Sequence, residues 1–370
     1  MIFNKSLIYL GIILIIIITG IILYIASDDN NEIKTYDIDL DHVKYLSIID
    51  KEWALLNESE NELYNPWQIK LIGETLYVWD AAGEHPVQLY NLDLENIGTL
   101  GEWGEGPGEF VNPIHIIGSY RDTLIVHERM KNRLSLFDIT TKNFIRYIDL
   151  FELLQKSALY ATLSNSLLII VDGDVTESFA KGFSIFDGTG PDIIYYGDLN
   201  ILHDLKPVTA TRNFLLKEGS IISDNNNLYV ALRRSSLILG FSIDGELLFH
   251  NMEPHNIDLP EYSDPNFVGS QPPVNWYPTT NISIGVDSKH LYTLYTGRQL
   301  TRRDVAANRF YLIRQTQILD VYDKYTGDYQ YSTILPIPLS DMVVTDNAIY
   351  GISKDSEIKV VKFKKPELMQ

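Results

Sequence analysis

The sequence predicts an all-β chain: a six-bladed β-propeller preceded by one N-terminal transmembrane helix. Three observations predict it. Residues 7–25 form an uncharged apolar run. Beyond residue 36 the sequence has no long helical periodicity, only short β-branched and aromatic runs broken by Gly, Asn and Asp. One strand–turn–strand unit then recurs six times.

The apolar run comes first. About 19 residues at 1.5 Å each span roughly 28 Å, close to the hydrocarbon thickness of a bilayer. Within lipid the backbone must satisfy its own hydrogen bonds, so an Ile-rich run folds as a helix there. Lys5 precedes it, and Asp28, Asp29 and Glu32 follow. The positive end stays cytoplasmic, which makes 1–6 a cytoplasmic tail and carries the rest to the periplasmic or extracellular side. A signal peptide cleaved near Ala26-Ser27, giving a secreted protein, is the alternative. Residues 26–36 read as a polar linker and 37–367 as the propeller.

Each copy of the unit pairs an apolar strand with a second strand that often ends in Phe/Tyr-Asp. The leading strands contain Leu76-Tyr77-Val78, Leu124-Ile125-Val126, Leu167-Leu168-Ile169, Leu228-Tyr229-Val230, Leu291-Tyr292-Thr293 and Ile349-Tyr350-Gly351. A meander of this kind cannot bury both faces alone, and stacking copies around an axis does so. The last copy is short of strands, so a segment near 43–49 is expected to add the outer strand and close the ring. Insertions near 200–220, 257–280 and 296–316 account for the long repeat. Seven blades is the alternative count.

The stretch 101–113 sets the register of the copies. Gly104, Gly106 and Gly108 supply turns, Pro107 fixes a bend, Phe110 plugs between blades and Pro113 precedes a strand. Asn65-Pro66 repeats the register of Asn112-Pro113. With Gly106-Pro107-Gly108-Glu109-Phe110 and Asn132-Arg133-Leu134-Ser135-Leu136-Phe137-Asp138, the region 98–150 resembles an NHL-type repeat. It is similar to bacterial cell-envelope six-bladed propellers with a Gly-Pro-Gly-Glu-Phe connector. The resemblance implies a fold more than an activity.

Composition excludes several functions. The 370 residues carry 49 acids against 30 bases, a formal charge of -19, which repels nucleic acid and anionic lipid headgroups and argues against general polyanion binding. No cysteine is present, so disulfides, thiol catalysis, Cys-based zinc sites and lipidation at an N-terminal Cys are all absent. The eight histidines form no metal motif, and no Gly-x-Ser-x-Gly elbow occurs. Glu102, Glu105 and Glu109 make 101–113 hostile to phosphate. A Ca²⁺ site there is conceivable; no other cofactor is expected. Asp172-Gly173-Asp174 reads as a hairpin turn rather than a calcium loop.

Two segments stand out as ligand-binding candidates. Arg298, Arg302, Arg303, Arg309 and Arg314 make a basic island in an acidic chain, suited to a carboxylate, an acidic glycan or an anionic partner. Pairing with the protein's own acids is the plainer reading. Residues 257–281 are rich in Pro and aromatics, including Trp276 and Tyr277, and could contact sugar or peptide or cover the channel. Asn57 and Asn281 stand in glycosylation sequons. The expected function is a membrane-tethered binding or scaffold module for protein, peptide or glycan. The alternative, which the sequence favours less, is a metal-dependent lactonase-like hydrolase acting in the channel.

Overall fold

The computed structural model describes residues 53–366, apart from 61–62, 152–157, 165–166, 173–177, 185–192, 199–217, 225, 259–278, 299–312 and 356. The chain enters on β1 (Ala54–Glu58) and then builds antiparallel four-stranded blades. Blade 1 is β2 (Pro66–Ile72), β3 (Thr75–Asp80), β4 (Val87–Tyr90) and β5 (Asn96–Leu100). A link containing β6 (Glu102–Trp103) and β7 (Glu109–Phe110) leads to blade 2, which is β8 (Ile114–Tyr120), β9 (Thr123–Glu128), β10 (Arg133–Asp138) and β11 (Phe144–Asp149). Blade 3 is β12 (Ala158–Ser164), β13 (Leu167–Asp172), β14 (Ser178–Ser184) and β15 (Ile193–Asp198). Blade 4 is β16 (Gly219–Ser223), β17 (Asn227–Leu232), β18 (Ile238–Ser242) and β19 (Leu247–Asn251). Blade 5 is β20 (Thr279–Val286), β21 (His290–Arg298), β22 (Thr316–Asp323) and β23 (Tyr329–Leu339). Blade 6 is β24 (Asp341–Val344), β25 (Ala348–Lys354) and β26 (Ile358–Lys364), completed by β1.

The first strands pack in a closed circle: β2 on β8, β8 on β12, β12 on β16, β16 on β20, β20 on β24 and β24 on β2. The protein is therefore a six-bladed propeller. The second strand of each blade reads as a continuous apolar run because neighbouring blades cover both its faces. In β3, Tyr77 and Trp79 pack toward blade 2, while Leu76 and Val78 pack toward blade 6. In β17, Leu228 and Val230 face blade 3, and Tyr229 and Ala231 face blade 5. The described core residues fall into six clusters, one at each interface between adjacent blades.

The ring closes as expected, but through a different segment. β1 pairs antiparallel with β26, Ala54 opposite Lys364 and Leu55 opposite Phe363. The closing strand thus begins at residue 54, while 43–49 lies outside the described residues. The repeating unit also gains a strand. The meander read from sequence is the second, third and fourth strand of each blade, and the inner strand is additional.

The inner strands of blades 1 and 2 are positioned alike. Asp80, at the end of β3, accepts the Tyr64 and Asn65 N–H groups at 2.8 and 2.6 Å. Glu128, at the end of β9, accepts the Val111 N–H at 3.3 Å. Each fully buried carboxylate holds the chain just before an Asn-Pro step into an inner strand, which is the physical basis of the shared register. The long connections fall where insertions were expected: between β15 and β16, between β19 and β20, and between β21 and β22. Strand directions alternate, so the strand ends that these connections and the 101–113 link join all lie on one face of the ring.

The expected span 7–25, with the tail and linker around it, lies outside the described residues. Among the described residues no helix is long and apolar enough to cross a membrane.

Candidate functional site

The inner strands enclose a cavity of about 840 Å³ on the propeller axis. Its lining includes six basic side chains, Lys70, Arg129, Arg233, Arg234, Arg314 and Lys354, against two acidic ones, Glu218 and Asp341. Repeat geometry explains the concentration. Arg129 follows β9, Arg233 follows β17, Lys354 ends β25 and Arg314 stands just before β22. All four sit where a second strand turns toward a third strand, so blades 2, 4, 5 and 6 each bring a cation to the same mouth of the channel.

The two acids neutralise little of this charge. Glu218 pairs with Arg233 and Arg234, at 3.2 Å each. Asp341 accepts the Ser283 hydroxyl at 2.6 Å and the Ile69 N–H at 2.9 Å, tying the inner strands of blades 5, 6 and 1 together. Among the described residues, Lys70, Arg129, Arg314 and Lys354 have no carboxylate within ion-pair distance.

The remaining cations feel one another. Burial and the Arg314 guanidinium bring the Lys354 ammonium down to about 8. Burial, with Arg233, lowers Arg314. Burial, with Arg129 and Arg233, brings His115 down to about 4, so this imidazole is neutral at physiological pH. Aromatic rings support one side. Arg314 lies 4.3 Å and Lys354 5.0 Å from the Trp67 ring, Trp67 stacks on Trp79 at 6.2 Å, and Trp79 is 5.8 Å from His115. Two polar atoms of cavity residues are buried without a partner, Trp79 Nε1 and Arg233 Nε.

Asp341 gives the channel a pH signature. Burial raises its carboxyl to about 6, although Ser283, the Ile69 and Met342 N–H groups and Lys70 act against the shift. The unfolded chain restores the ordinary value of 3.8, so the folded state holds this proton more tightly. The contribution to stability is complete below 3.8 and is lost as pH rises through about 6, a swing on the order of 3 kcal/mol. Asp341→Asn should remove it. In urea unfolding at about pH 4.5 and about pH 7.5, stability of the variant relative to wild type should rise with pH. An unchanged difference would contradict the assignment.

The stretch 101–113 joins blade 1 to blade 2, and its groups are used internally. Glu109 turns back to accept the Gly106 N–H at 2.8 Å, and the Gly106 carbonyl accepts the Tyr147 hydroxyl at 2.7 Å. Phe110 is buried against Phe137, ring centres 5.2 Å apart. Gly101 has φ +71 and a Cβ there would run into the Phe110 ring, so only glycine fits. Glu105 pairs with Lys131 at 3.3 Å and Glu102 with His85 at 3.2 Å, so the three carboxylates diverge. Among the described residues no three His, Asp or Glu side chains are placed to hold a metal ion. Gly104, Pro107 and Gly108 complete the link, and Pro113 lines the cavity beside Asn112.

The basic island read from sequence divides. Arg314 reaches the channel, and it lies on Trp67 rather than on an acid. Arg298 is exposed at the end of β21. Arg302, Arg303, Arg309, Trp276 and Tyr277 lie outside the described residues, as does 173–177 between β13 and β14. Asn281 is buried in β20 with its amide donating to the Leu232 carbonyl at 3.1 Å, so its sequon is not an accessible acceptor in the folded chain. Lys70, Arg129, the Arg233-Arg234 pair and Lys354 escaped single-residue reading because they are far apart in sequence. Aligning the six copies would have found most of them: the residues ending or following the second strand are basic in blades 2, 4, 5 and 6, at Arg129, Arg233, Arg298 and Lys354.

Comparison with known proteins agrees with the ring. A family model described as a 6-bladed beta-propeller, DUF5128, matches residues 26–168. No curated protein matches the sequence. The fold is similar to the crystal structure of a Bacteroides fragilis protein named as exported, with a TM-score of 0.52 and 11% identity over 86% of this chain and 97% of that one. It is similarly close to a DUF4221-family protein of Bacteroides vulgatus, with a TM-score of 0.52 and 11% identity over 85% and 96% of the two chains. At that identity the likeness concerns the fold alone.

Proposed function

We propose that this chain is a binding module held in the membrane by residues 7–25, with its N-terminus cytoplasmic and its propeller outside. It recognises a protein, peptide or glycan ligand at the channel mouth. The observation that carries this reading is the mouth itself: an open cavity of about 840 Å³ where cations from four blades meet exposed aromatic surface. Pockets of this size with a few convergent polar groups are the usual form of a ligand site. The uncharged run followed by acids supports the membrane topology, and the likeness to a protein named as exported is in keeping with it. The NHL-type pattern of 98–150 belongs to the same reading. A hydrolase site would need acids from several blades converging on the axis, and among the described residues the charged side chains of the lining are six basic against two acidic.

A photo-crosslinking residue tests this in the full-length chain in its own membrane. Placed at Asn112, exposed at the cavity rim, it should yield a specific adduct; placed at Leu248, exposed on the outer strand β19, it should not. Adducts from Leu248 alone would move the recognition surface to the outside of the ring and overturn the proposal.

A further inference from the structure

We propose that the ligand of this mouth is a small polyanion: a molecule with two or more carboxylate, phosphate or sulfate groups, spaced to reach more than one blade. The proposal rests on the reading of the mouth as the binding site and adds the chemical class of what enters.

Charge gives the first argument. A protein with a net charge of -19 has acids to spare, yet among the described residues the cavity gathers six cations and two acids. One acid is shared by Arg233 and Arg234, and the other is turned to Ser283 and Ile69. Collecting like charges in a half-buried cavity costs stability unless a counter-charge arrives; burial first, and the neighbouring guanidinium second, lower both Lys354 and Arg314. Folding alone gives no reason to place these cations together, since they come from five of the six blades, with Arg233 and Arg234 sharing blade 4.

Donor chemistry gives the second. Guanidinium groups match carboxylate and phosphate oxygens through paired N–H donors. Arg233 Nε and Trp79 Nε1 are buried donors with no acceptor, and Trp79 is 5% exposed. Buried donors are nearly always satisfied in a working structure, and among the described residues these two have no acceptor. Size and spacing give the third. About 840 Å³ admits a small molecule or a short oligomer but no folded protein. A ligand with more than one anionic group can engage cations on several blades at once.

The full-length chain in non-ionic detergent can be titrated calorimetrically with inositol hexakisphosphate, a galacturonate hexamer and neutral cellohexaose. At least one anion should bind, more weakly as salt is raised, and cellohexaose should not. Arg314→Gln combined with Lys354→Gln should weaken binding about tenfold or more, the loss expected for a charge-assisted hydrogen bond. Arg129→Gln, on blade 2, should weaken it independently, which guards against a folding defect in the first variant. The anion that binds tells a phosphate ester from a sugar acid. Cellohexaose binding as tightly as the galacturonate, variants of unchanged affinity, or two silent anions would each overturn the proposal. A specific Asn112 adduct in membranes alongside two silent anions would leave the binding reading standing and remove only the polyanion.

Discussion

Trp53→Ala should lower the unfolding free energy by about 3–5 kcal/mol. Trp53 stands one residue before the closing strand and is 5% exposed within the cluster between blades 5 and 6. Its indole N–H donates to Thr333 Oγ1 on β23 at 3.2 Å, and its ring meets Phe363 of β26 edge-on at 6.2 Å. The residue therefore pins the chain entry to the last two blades. Truncation leaves a cavity, orphans the Thr333 contact and loosens β1, the strand that covers the outer edge of β26. Urea unfolding followed by far-UV circular dichroism measures the loss, and Trp53→Phe should retain most of the stability by keeping the edge-on contact. A loss under about 1 kcal/mol for Trp53→Ala would mean that the ring does not depend on this closure.

Asp287→Ala should cost a comparable amount, about 3–5 kcal/mol, for an electrostatic reason. Asp287 and Lys365 form an ion pair with side chains 3% and 0% exposed, joining blade 5 to the end of blade 6. Asp287 also accepts the Tyr292 hydroxyl and the Lys289 and His290 N–H groups, each at 2.7 Å. Burial alone would raise this carboxyl, but Lys365, Tyr292 and those two amides outweigh it and hold it below 3.8. A lowered value means that its contribution is present above 3.8 and is lost as pH falls through the folded value. Removing the carboxylate strands a buried ammonium, so the variant should be hurt less near pH 10, where Lys365 can shed its proton, than at pH 7. Equal losses at the two pH values would contradict this account. The arrangement repeats one blade earlier: Lys324 of blade 5 reaches Asp224 of blade 4 at 3.1 Å.

The blade count was legible because the second strand of each blade is covered on both faces. Leu76-Tyr77-Val78 and its five counterparts read as apolar runs, interrupted only by Thr293 in blade 5 and Gly351 in blade 6, which few other environments produce. The inner strands were not legible for the same physical reason in reverse. One side of β2 or β16 faces the channel, so Gln68, Lys70 and Ser220 alternate with apolar residues and the runs look like turns and edges. The closing strand was misplaced because β1, Ala-Leu-Leu-Asn-Glu, is mostly exposed at the outer edge and carries little apolar signal. The site was legible only in part. The island around Arg314 drew notice because its charges are contiguous in sequence. Arg129, Arg233 and Lys354 each look like an ordinary surface cation until the fold brings three blades to one mouth.

Hydrogen exchange of the full-length chain, with and without inositol hexakisphosphate or the galacturonate hexamer, tests the central claim most directly. Protection should gather on the inner strands β2, β16, β20 and β24 and on the turns after β9, β17 and β25, whose residues line the channel. Protection confined to the outer strands β5, β11, β19 and β23, or no change with either anion, would contradict a basic channel mouth as the recognition site.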